Sequence, residues 1–344
     1  MHLLTPAGMP KTLPKITLLF AGGATLYTEG EGVFNLRSAS DVKQWMAKVP
    51  ELSLIAEVEP IFLLPDGQTL EPEHWNDVLG IVKQKYAASD GCVILQGVDT
   101  MLSTGAFLSF ALHGLGKPVV LTGAPVAPPN PQGDTKEFMS HFRTLGVRAN
   151  LINAVQVSTL NLREVSIVFG NQVMRANRAR SAPGATFNMF EADEVDVFGR
   201  VDFGIRLKSE QQRKKDPIHI TKLKNVQLAV VSLHPGFKPE ALADVVREKP
   251  DGILIQSFGQ QGVPERYWPA IRLATQKDIP VVITGQGAAG LVSQPGVAVI
   301  SHLTESTLHA KFLWALSKAS NSRVVLDLMQ KNAAGEFGFL YRDS

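Results

Sequence analysis

The sequence has a single cysteine, Cys92, among its 344 residues. An internal disulfide and a structural zinc site built on cysteines are therefore excluded. An excess of one charge sign is also missing, since 34 Lys and Arg residues stand against 32 Asp and Glu residues. The resulting net charge of +2 gives no indication of a nucleic-acid or anionic-membrane partner.

Long apolar runs are absent too, because no segment reaches the roughly 18–20 apolar residues that cross a bilayer. The segment Met1–Phe20 lacks the charged, apolar and small-residue pattern of a secretory signal. The hydrophobic fraction of 44% and the charged fraction of 19% are those of an ordinary soluble globular protein. We therefore predict a cytoplasmic protein with no membrane partner, and the length indicates two domains.

Short β-branched apolar runs that end in Gly, Asn or Asp alternate with longer amphipathic stretches. Strands are predicted at Ile16–Phe20, Cys92–Leu95, Val119–Leu121, Val165–Phe169, Ile253–Ile255 and Val281–Ile283. Helical spacing is found in Ala39–Val49, Pro72–Ala88, Thr104–Leu112, Asn150–Leu160, Pro239–Arg247, Glu305–Ala319 and Val324–Gln330. This alternation predicts an α/β fold with parallel strands buried under helices, and a ligand site at the carboxyl ends of the strands.

A charged stretch without periodicity marks the predicted domain boundary. Lys208–Asp216 reads KSEQQRKKD and is followed by Pro217. We predict an amino-terminal domain over residues 1–207, a linker over 208–217 and a carboxyl-terminal domain over 218–344. The proline-rich stretch Pro125–Gln132 is interpreted as an extended loop.

Two strand ends carry candidate ligand-binding residues. Gly22-Gly23 lacks both the dinucleotide-binding glycine spacing and a P-loop lysine, so a nucleotide site is not expected. A plain turn and a backbone site for a small oxyanion or carboxylate both stay open there. In Gln96-Gly97-Val98-Asp99-Thr100, the Asp99 carboxylate either caps the next helix or accepts the ammonium group of a ligand.

Other motifs give weaker signals. The histidines are scattered without metal-ligand spacing, so a metal site is not predicted. No G-x-S-x-G nucleophile turn is present. The basic run Arg175–Arg180 has no interleaved aromatic residues, which favours a solvated or carboxylate-paired surface over nucleic-acid binding.

Two longer segments resemble the bacterial-type L-asparaginase/glutaminase family. Leu13–Ala24 (LPKITLLFAGGA) is similar to the family's opening strand and its T-G-G-T turn, and Asp90–Ala124 is similar to the signature that begins D-G-x-V-x-x-H-G-T-D-T-M. The resemblance implies a larger amino-terminal domain with a mainly parallel sheet flanked by helices and a smaller carboxyl-terminal α/β domain. It also implies an amidohydrolase of asparagine or glutamine that uses no cofactor and forms a homodimer or a dimer of dimers.

The resemblance also implies roles for single positions. In the family, a Thr of the first glycine turn attacks the amide with help from a flap Tyr, and a second Thr, an Asp and a Lys handle the proton. A Ser holds the α-carboxylate of the substrate. Ala24 stands at the position of the attacking Thr, and Phe34 or Tyr27 at that of the flap Tyr. Val98, Asp99 and Ser181 match the second Thr, the Asp and the Lys, and Gly67 matches the Ser. The nucleophile, the second Thr and the Lys are thus all replaced. The loss of even one such group typically lowers the rate by about 10²–10⁴-fold.

Three hypotheses follow from these replacements. The favoured one is a family member with a degenerate site that binds a small amino-acid-like ligand without efficient turnover, through Gly23, Gly67, Gly97, Val98 and Asp99. The second is an active amidohydrolase with a relocated nucleophile, Thr25 or Thr100, and with Arg180 supplying the missing charge. Arginine is a poor base because it stays protonated. The third is a non-catalytic structural subunit.

Overall fold

A computed structural model describes residues 12–22, 26–28, 32–34, 36–124, 136–182, 189–202, 204–209, 218–258, 262–285 and 294–337. The α-helices in these residues are α1 (Ala39–Met46), α2 (Glu51–Ile55), α3 (Trp75–Lys85), α4 (Met101–Ala111), α5 (Lys136–Ser158), α6 (Pro239–Arg247), α7 (Trp268–Gln276), α8 (Glu305–Lys318) and α9 (Ser322–Gln330). Short 3₁₀ turns lie at Pro72–His74, Glu194–Asp196 and Glu265–Tyr267.

Within the described ranges, the strands divide into two main sheets and three two-stranded pairs. They are β1 (Lys15–Ala21), β2 (Leu26–Thr28), β3 (Gly32–Phe34), β4 (Glu57–Leu64), β5 (Gly91–Leu95), β6 (Leu112–His113), β7 (Val119–Thr122), β8 (Val165–Phe169), β9 (Gln172–Arg175), β10 (Arg180–Ser181), β11 (Phe190–Glu191), β12 (Val197–Val201), β13 (Ile205–Leu207), β14 (His219–Ile220), β15 (Leu228–Ser232), β16 (Gly252–Gln256), β17 (Val281–Thr284) and β18 (Val297–Val299).

The larger sheet has the order β13-β12-β9-β8-β7-β5-β1-β4. Its strands β4, β1, β5, β7 and β8 are parallel, whereas β9, β12 and β13 continue the sheet in antiparallel pairing. β5, β7 and β8 are buried at every residue, as expected for parallel strands covered on both faces. The predicted mainly parallel sheet is therefore confirmed.

The smaller sheet contains β15, β16, β17 and β18 in that order, all parallel. The helices α6 and α7 cover one face of it with Leu242, Val246 and Ile271, while the other face contributes Leu254 and Val282 to a core shared with α8 and α9. This sheet forms the smaller carboxyl-terminal α/β unit that the resemblance implies.

The two sheets are joined through a helical layer. One face of the larger sheet packs on α1 and α5, with Val42 and Leu151 in the core, and the other packs on α3 and α4. α4 is buried on nearly all sides because it lies between this sheet and α8. The ring centroids of Phe110 on α4 and Trp314 on α8 are 5.6 Å apart.

The predicted linker falls between the two sheets, and its residues 210–217 lie outside the described residues, as does the predicted loop Pro125–Gln132. The chain after the linker first returns to the larger unit, because β14 pairs with β6 and Thr221 donates its N–H to the Ala111 carbonyl oxygen. The boundary at 208–217 stays a prediction. Among the helices of the described residues, none combines the length and the apolar character needed to span a membrane.

Candidate ligand site at the carboxyl edge of the larger sheet

The carboxyl ends of β4, β1 and β5 lie side by side, because β1 pairs with both of its neighbours. The Gly97 N–H donates to the Gly22 carbonyl oxygen at 3.0 Å and so extends the β1–β5 contact beyond both strands. Gly97 was expected to contribute to ligand binding, but its N–H is already hydrogen-bonded within the protein. The N–H groups of Val98 and Asp99 have no partner in the part of the chain that the structure describes.

A tight turn after β4 covers Gly22 from the other side. The Gln68 N–H donates to the Pro65 carbonyl oxygen, and Gly67 lies between them with a φ of 88°. Gly22 itself has a φ of 70°, and a Cβ atom there would lie 2.3 Å from the Gln68 carbonyl oxygen. Only glycine fits at this position, since both the backbone conformation and the close backbone approach exclude a side chain.

The Thr100 hydroxyl links the β4 and β5 loops. It donates to the carbonyl oxygen of the buried Leu70 at 2.8 Å. A carbonyl oxygen is no base at neutral pH, so this bond holds the hydroxyl in place without activating it as a nucleophile.

Asp99 is exposed at the end of the β5 loop, next to Val98, which is 9% exposed and belongs to the core. The interpretation that Asp99 caps α4 is wrong, because Thr100 occupies the N-cap position and no side chain accepts a hydrogen bond there. The Asp99 carboxylate has no hydrogen-bond or ion-pair partner among the described residues. It is therefore open to a ligand.

Asp66 is an acidic group at this edge that the sequence did not single out. Its carboxylate accepts the Leu36 N–H at 2.8 Å, and its own N–H donates to the Leu36 carbonyl oxygen at 2.8 Å. Partial burial raises the pKa of Asp66 to about 6, although the Leu36 hydrogen bond opposes the shift. The sequence Asp66-Gly67 indicates a turn, but it gives no indication of the hydrogen bonds between Asp66 and Leu36.

Arg180 and Ser181 lie on the short strand β10, where both are exposed. The Arg180 guanidinium donates to Asp193 at 2.8 Å and to Glu191 at 3.0 Å, and these hydrogen bonds raise its pKa. The Arg180 charge is thus paired with two carboxylates that do not belong to the loops after β1, β4 and β5.

Several predicted positions cannot be placed. Gly23, Ala24 and Thr25 lie outside the described residues. The alternatives for the flap tyrosine, Tyr27 and Phe34, fall on the hairpin of β2 and β3, where the backbone of Leu26 pairs with that of Phe34. In the residues that are described, no group of three or more His, Cys, Asp or Glu side chains is arranged to hold a metal ion.

Two family models match the chain in sequence. The model for the amino-terminal domain of asparaginase matches residues 15–214. The model for the carboxyl-terminal domain of glutaminase/asparaginase matches residues 227–329. The two matches follow the larger and the smaller sheet.

Individual relatives extend over most of the chain. A subunit of the glutamyl-tRNA(Gln) amidotransferase of Pyrococcus horikoshii is 26% identical over 351 residues, which cover 94% of this chain and 77% of that protein. L-asparaginase 1 of Escherichia coli K12 is 26% identical over 290 residues, covering 79% of this chain and 82% of that protein. The crystal structure of L-asparaginase I from Vibrio cholerae has a TM-score of 0.76 at 24% identity, covers 94% of this chain and 99% of that one, and shares the fold.

Proposed function

Because the chain belongs to the asparaginase family, we propose that it binds a small amino-acid-like ligand at the carboxyl edge of the larger sheet and hydrolyses asparagine or glutamine at most slowly. The observation that carries this proposal is the Thr100 hydroxyl, which donates to the Leu70 carbonyl oxygen at 2.8 Å. A hydroxyl bound in this way lacks the adjacent base that amide attack requires.

Among the described residues, the positions that match the family's catalytic groups supply no substitute for that base. Val98 presents methyl groups where a threonine would present a hydroxyl, and it fills nearly the same volume. Ser181 has no amine, and Arg180 stays protonated while it pairs with Glu191 and Asp193. Residual rate enhancement from binding and backbone donors alone is on the order of 10³-fold over water, far below that of a complete catalytic set.

Ligand binding is supported by the groups that remain at the edge. The Asp99 carboxylate is exposed and suits the ammonium group of an amino-acid-like ligand. The open N–H groups of Val98 and Asp99 precede the first turn of α4, where the helix dipole favours a carbonyl or carboxylate oxygen. Binding therefore survives the loss of the catalytic groups.

Two assays test the proposal. Ammonia release from asparagine and glutamine should stay at least about 100-fold below the median enzyme turnover of roughly 10 s⁻¹. Thermal unfolding should shift upward with at least one of asparagine, glutamine, aspartate, glutamate and their α-amides, because a bound ligand stabilises the folded state. Turnover within tenfold of the median rate would instead support an active amidohydrolase with a relocated nucleophile.

The Asp99→Ala variant tests whether Asp99 binds the ammonium group of the ligand. It should abolish the ligand-induced shift and leave the unfolding midpoint of the free protein unchanged, because the Asp99 side chain is exposed. Asp244→Ala, at an exposed position of α6, is the matched control and should keep the full shift. A shift that persists in Asp99→Ala would contradict the assignment.

A role as a subunit is the second candidate. It is favoured by the 26% identity to a protein named as an amidotransferase subunit. Size-exclusion chromatography with light scattering tests the homodimer or dimer of dimers that we propose on the resemblance. If no compound of the panel shifts the midpoint, the structural-subunit hypothesis replaces the binding hypothesis.

A further inference from the structure

We propose that Asp66 is a positioning residue, which holds the hairpin of β2 and β3 at the candidate site by fixing the chain directly after β3. The inference concerns the hairpin itself and holds whichever ligand the edge binds. Gly22 is the last described residue between β1 and the hairpin, and the chain is described again at Leu36, two residues after the end of β3. Gly22 and Leu36 are therefore the two described ends of the segment that carries the hairpin.

One turn, residues 65–68 after β4, is attached to both of these ends. A Cβ atom at Gly22 would lie 2.3 Å from the Gln68 carbonyl oxygen, so the backbone at Gly22 packs directly on the turn. Leu36 is hydrogen-bonded to Asp66 of the same turn. The start and the end of the hairpin segment are thus fixed to the same four residues.

The pairing of Leu36 with Asp66 uses two hydrogen bonds that run in opposite directions. The Leu36 N–H donates to the Asp66 carboxylate at 2.8 Å, and the Asp66 N–H donates to the Leu36 carbonyl oxygen at 2.8 Å. Hydrogen bonds to a carboxylate are the stronger kind. Leu36 is 3% exposed and belongs to the same core as Val42 of α1, so the attachment is made at a point that packing also fixes.

Two other aspartates make the same two-bond pairing and show its ordinary use. The Asp90 carboxylate accepts the Lys15 N–H at 2.9 Å, and the Asp90 N–H donates to the Lys15 carbonyl oxygen at 2.6 Å. Asp251 and Gln227 are paired likewise, at 2.7 Å and 2.9 Å. Both aspartates directly precede a strand, β5 or β16, and each partner stands at the start of the strand beside it. These two pairings extend existing ladders of parallel strands.

The pairing of Asp66 with Leu36 extends no ladder in the described part of the chain. Asp66 follows β4, which pairs with β1, and Leu36 follows β3, which pairs with β2. The Asp66 carboxylate is also partly buried, and this burial raises its pKa to about 6. Burying a carboxylate is unfavourable unless it is hydrogen-bonded, and the Leu36 N–H supplies such a bond. The pairing therefore joins the hairpin segment to the site edge where the sheet itself does not.

Hydrogen–deuterium exchange of the full-length chain, followed by mass spectrometry of peptides that cover β2 and β3, tests the inference. In Asp66→Ala, the hairpin amides should exchange at least about tenfold faster than in wild type, because the acceptor of the Leu36 N–H is lost. β2 also lies close to α5, so we expect faster opening of the hairpin rather than its complete loss. Peptides from the buried strands β5 and β8 should still be protected when the hairpin has exchanged, which shows that the variant is folded.

Two further variants make the test specific. Asp66→Asn keeps an oxygen that can accept the Leu36 N–H, so its hairpin exchange should stay within about threefold of wild type. Asp251→Ala is the matched control, because it removes the same kind of pairing from the smaller sheet and should leave the hairpin unchanged.

Four results would overturn the inference. The first is unchanged hairpin exchange in Asp66→Ala, and the second is equal acceleration in Asp66→Ala and Asp251→Ala, since the hairpin would then respond only to overall stability. The third is an Asp66→Asn variant that fails to restore protection. The fourth is a wild-type hairpin whose amides exchange at the rate of an unstructured peptide, since Asp66 would then hold no hairpin in place.

Discussion

Lys311 and Glu336 form an ion pair with 2.6 Å between Nζ and Oε1, and both side chains are 0% exposed. The Lys311 ammonium also donates to the Lys331 carbonyl oxygen at 2.7 Å, and the Glu336 carboxylate accepts the N–H groups of Ala333 and Ala334. Burial lowers the pKa of Lys311, and the Glu336 charge opposes that shift. The pair thus fastens the segment after α9 to α8.

Replacing one partner of this pair should be costly. Lys311→Met leaves the Glu336 carboxylate buried without its cation, and we expect a loss of about 3–5 kcal/mol in the free energy of unfolding by urea denaturation. The double variant Lys311→Met/Glu336→Gln should lose less than the sum of the two single variants, because it leaves no unpaired charge. Lys331→Met, at an exposed side chain, should change stability by less than about 0.5 kcal/mol. Additive single losses would contradict the pairing.

Asp66→Asn should change stability in a pH-dependent way. Burial disfavours the ionised carboxylate, so the folded-state pKa of about 6 lies above the ordinary value of 3.8. The wild-type protein therefore loses stability as the pH rises from about 4 to about 6, and the loss persists above that range. Asn has no charge and its oxygen can still accept the Leu36 N–H. We expect the variant to be more stable than wild type at pH 8, but not at pH 4, in urea denaturation. A variant that is less stable at pH 8 would show that the Leu36 hydrogen bond outweighs burial.

Thr100→Val should separate a structural role from a nucleophilic one. The variant removes the donor to the Leu70 carbonyl oxygen, and leaving that buried oxygen unpaired should cost about 1–3 kcal/mol of unfolding free energy. Thr100→Ser keeps the hydroxyl and should cost less than Thr100→Val. Any slow ammonia release should persist in Thr100→Val. Its loss in Thr100→Val together with its retention in Thr100→Ser would identify Thr100 as the nucleophile.

Gly22→Ala tests the close packing of the β4 turn on β1. The φ of 70° strains an alanine, and its Cβ would lie 2.3 Å from the Gln68 carbonyl oxygen, so we expect a loss of about 2–4 kcal/mol. Gly114→Ala is the matched control, since Gly114 has a φ of 73° but no atom within 4 Å of the added Cβ. It should cost only about 1–2 kcal/mol for the backbone conformation. Equal losses of stability in the two variants would mean that the turn after β4 shifts to accommodate the new methyl group.

The regular elements of the fold were readable from hydrophobic patterning. The predicted helix at Pro239–Arg247 has the observed bounds of α6, and the strand at Val165–Phe169 those of β8. Each shows one clear pattern, which is helical spacing of buried residues in α6 and a continuous apolar run in β8. The resemblance to the asparaginase family is likewise confirmed by the two family models. The two motifs that show this resemblance follow the buried parallel strands β1 and β5.

Elements with mixed patterns were missed. β4 reads EVEPIFLL and is only partly buried at the sheet edge, so it lacks the apolar run of a central strand. α5 begins at Lys136, well before the predicted start at Asn150. The antiparallel strands β9, β12 and β13 depend on pairing with one another, which local propensity does not encode.

The candidate site was predicted only in part. The order of residues placed Asp99 correctly at the end of a buried strand. It could not give the partner of the Gly97 N–H or of the Thr100 hydroxyl, because both bonds join loops far apart in the chain. Asp66 escaped notice for the same reason, since both of its hydrogen bonds are made to the backbone of Leu36, thirty positions away.

α4 connects the candidate site to the second sheet. It starts directly after Asp99 and Thr100, and its Phe110 ring packs against Trp314 on α8. The loop that carries Asp99 and the packing between the two sheets are thus attached to opposite ends of a single helix, so any substitution that shifts α4 against α8 also acts on the position of that loop.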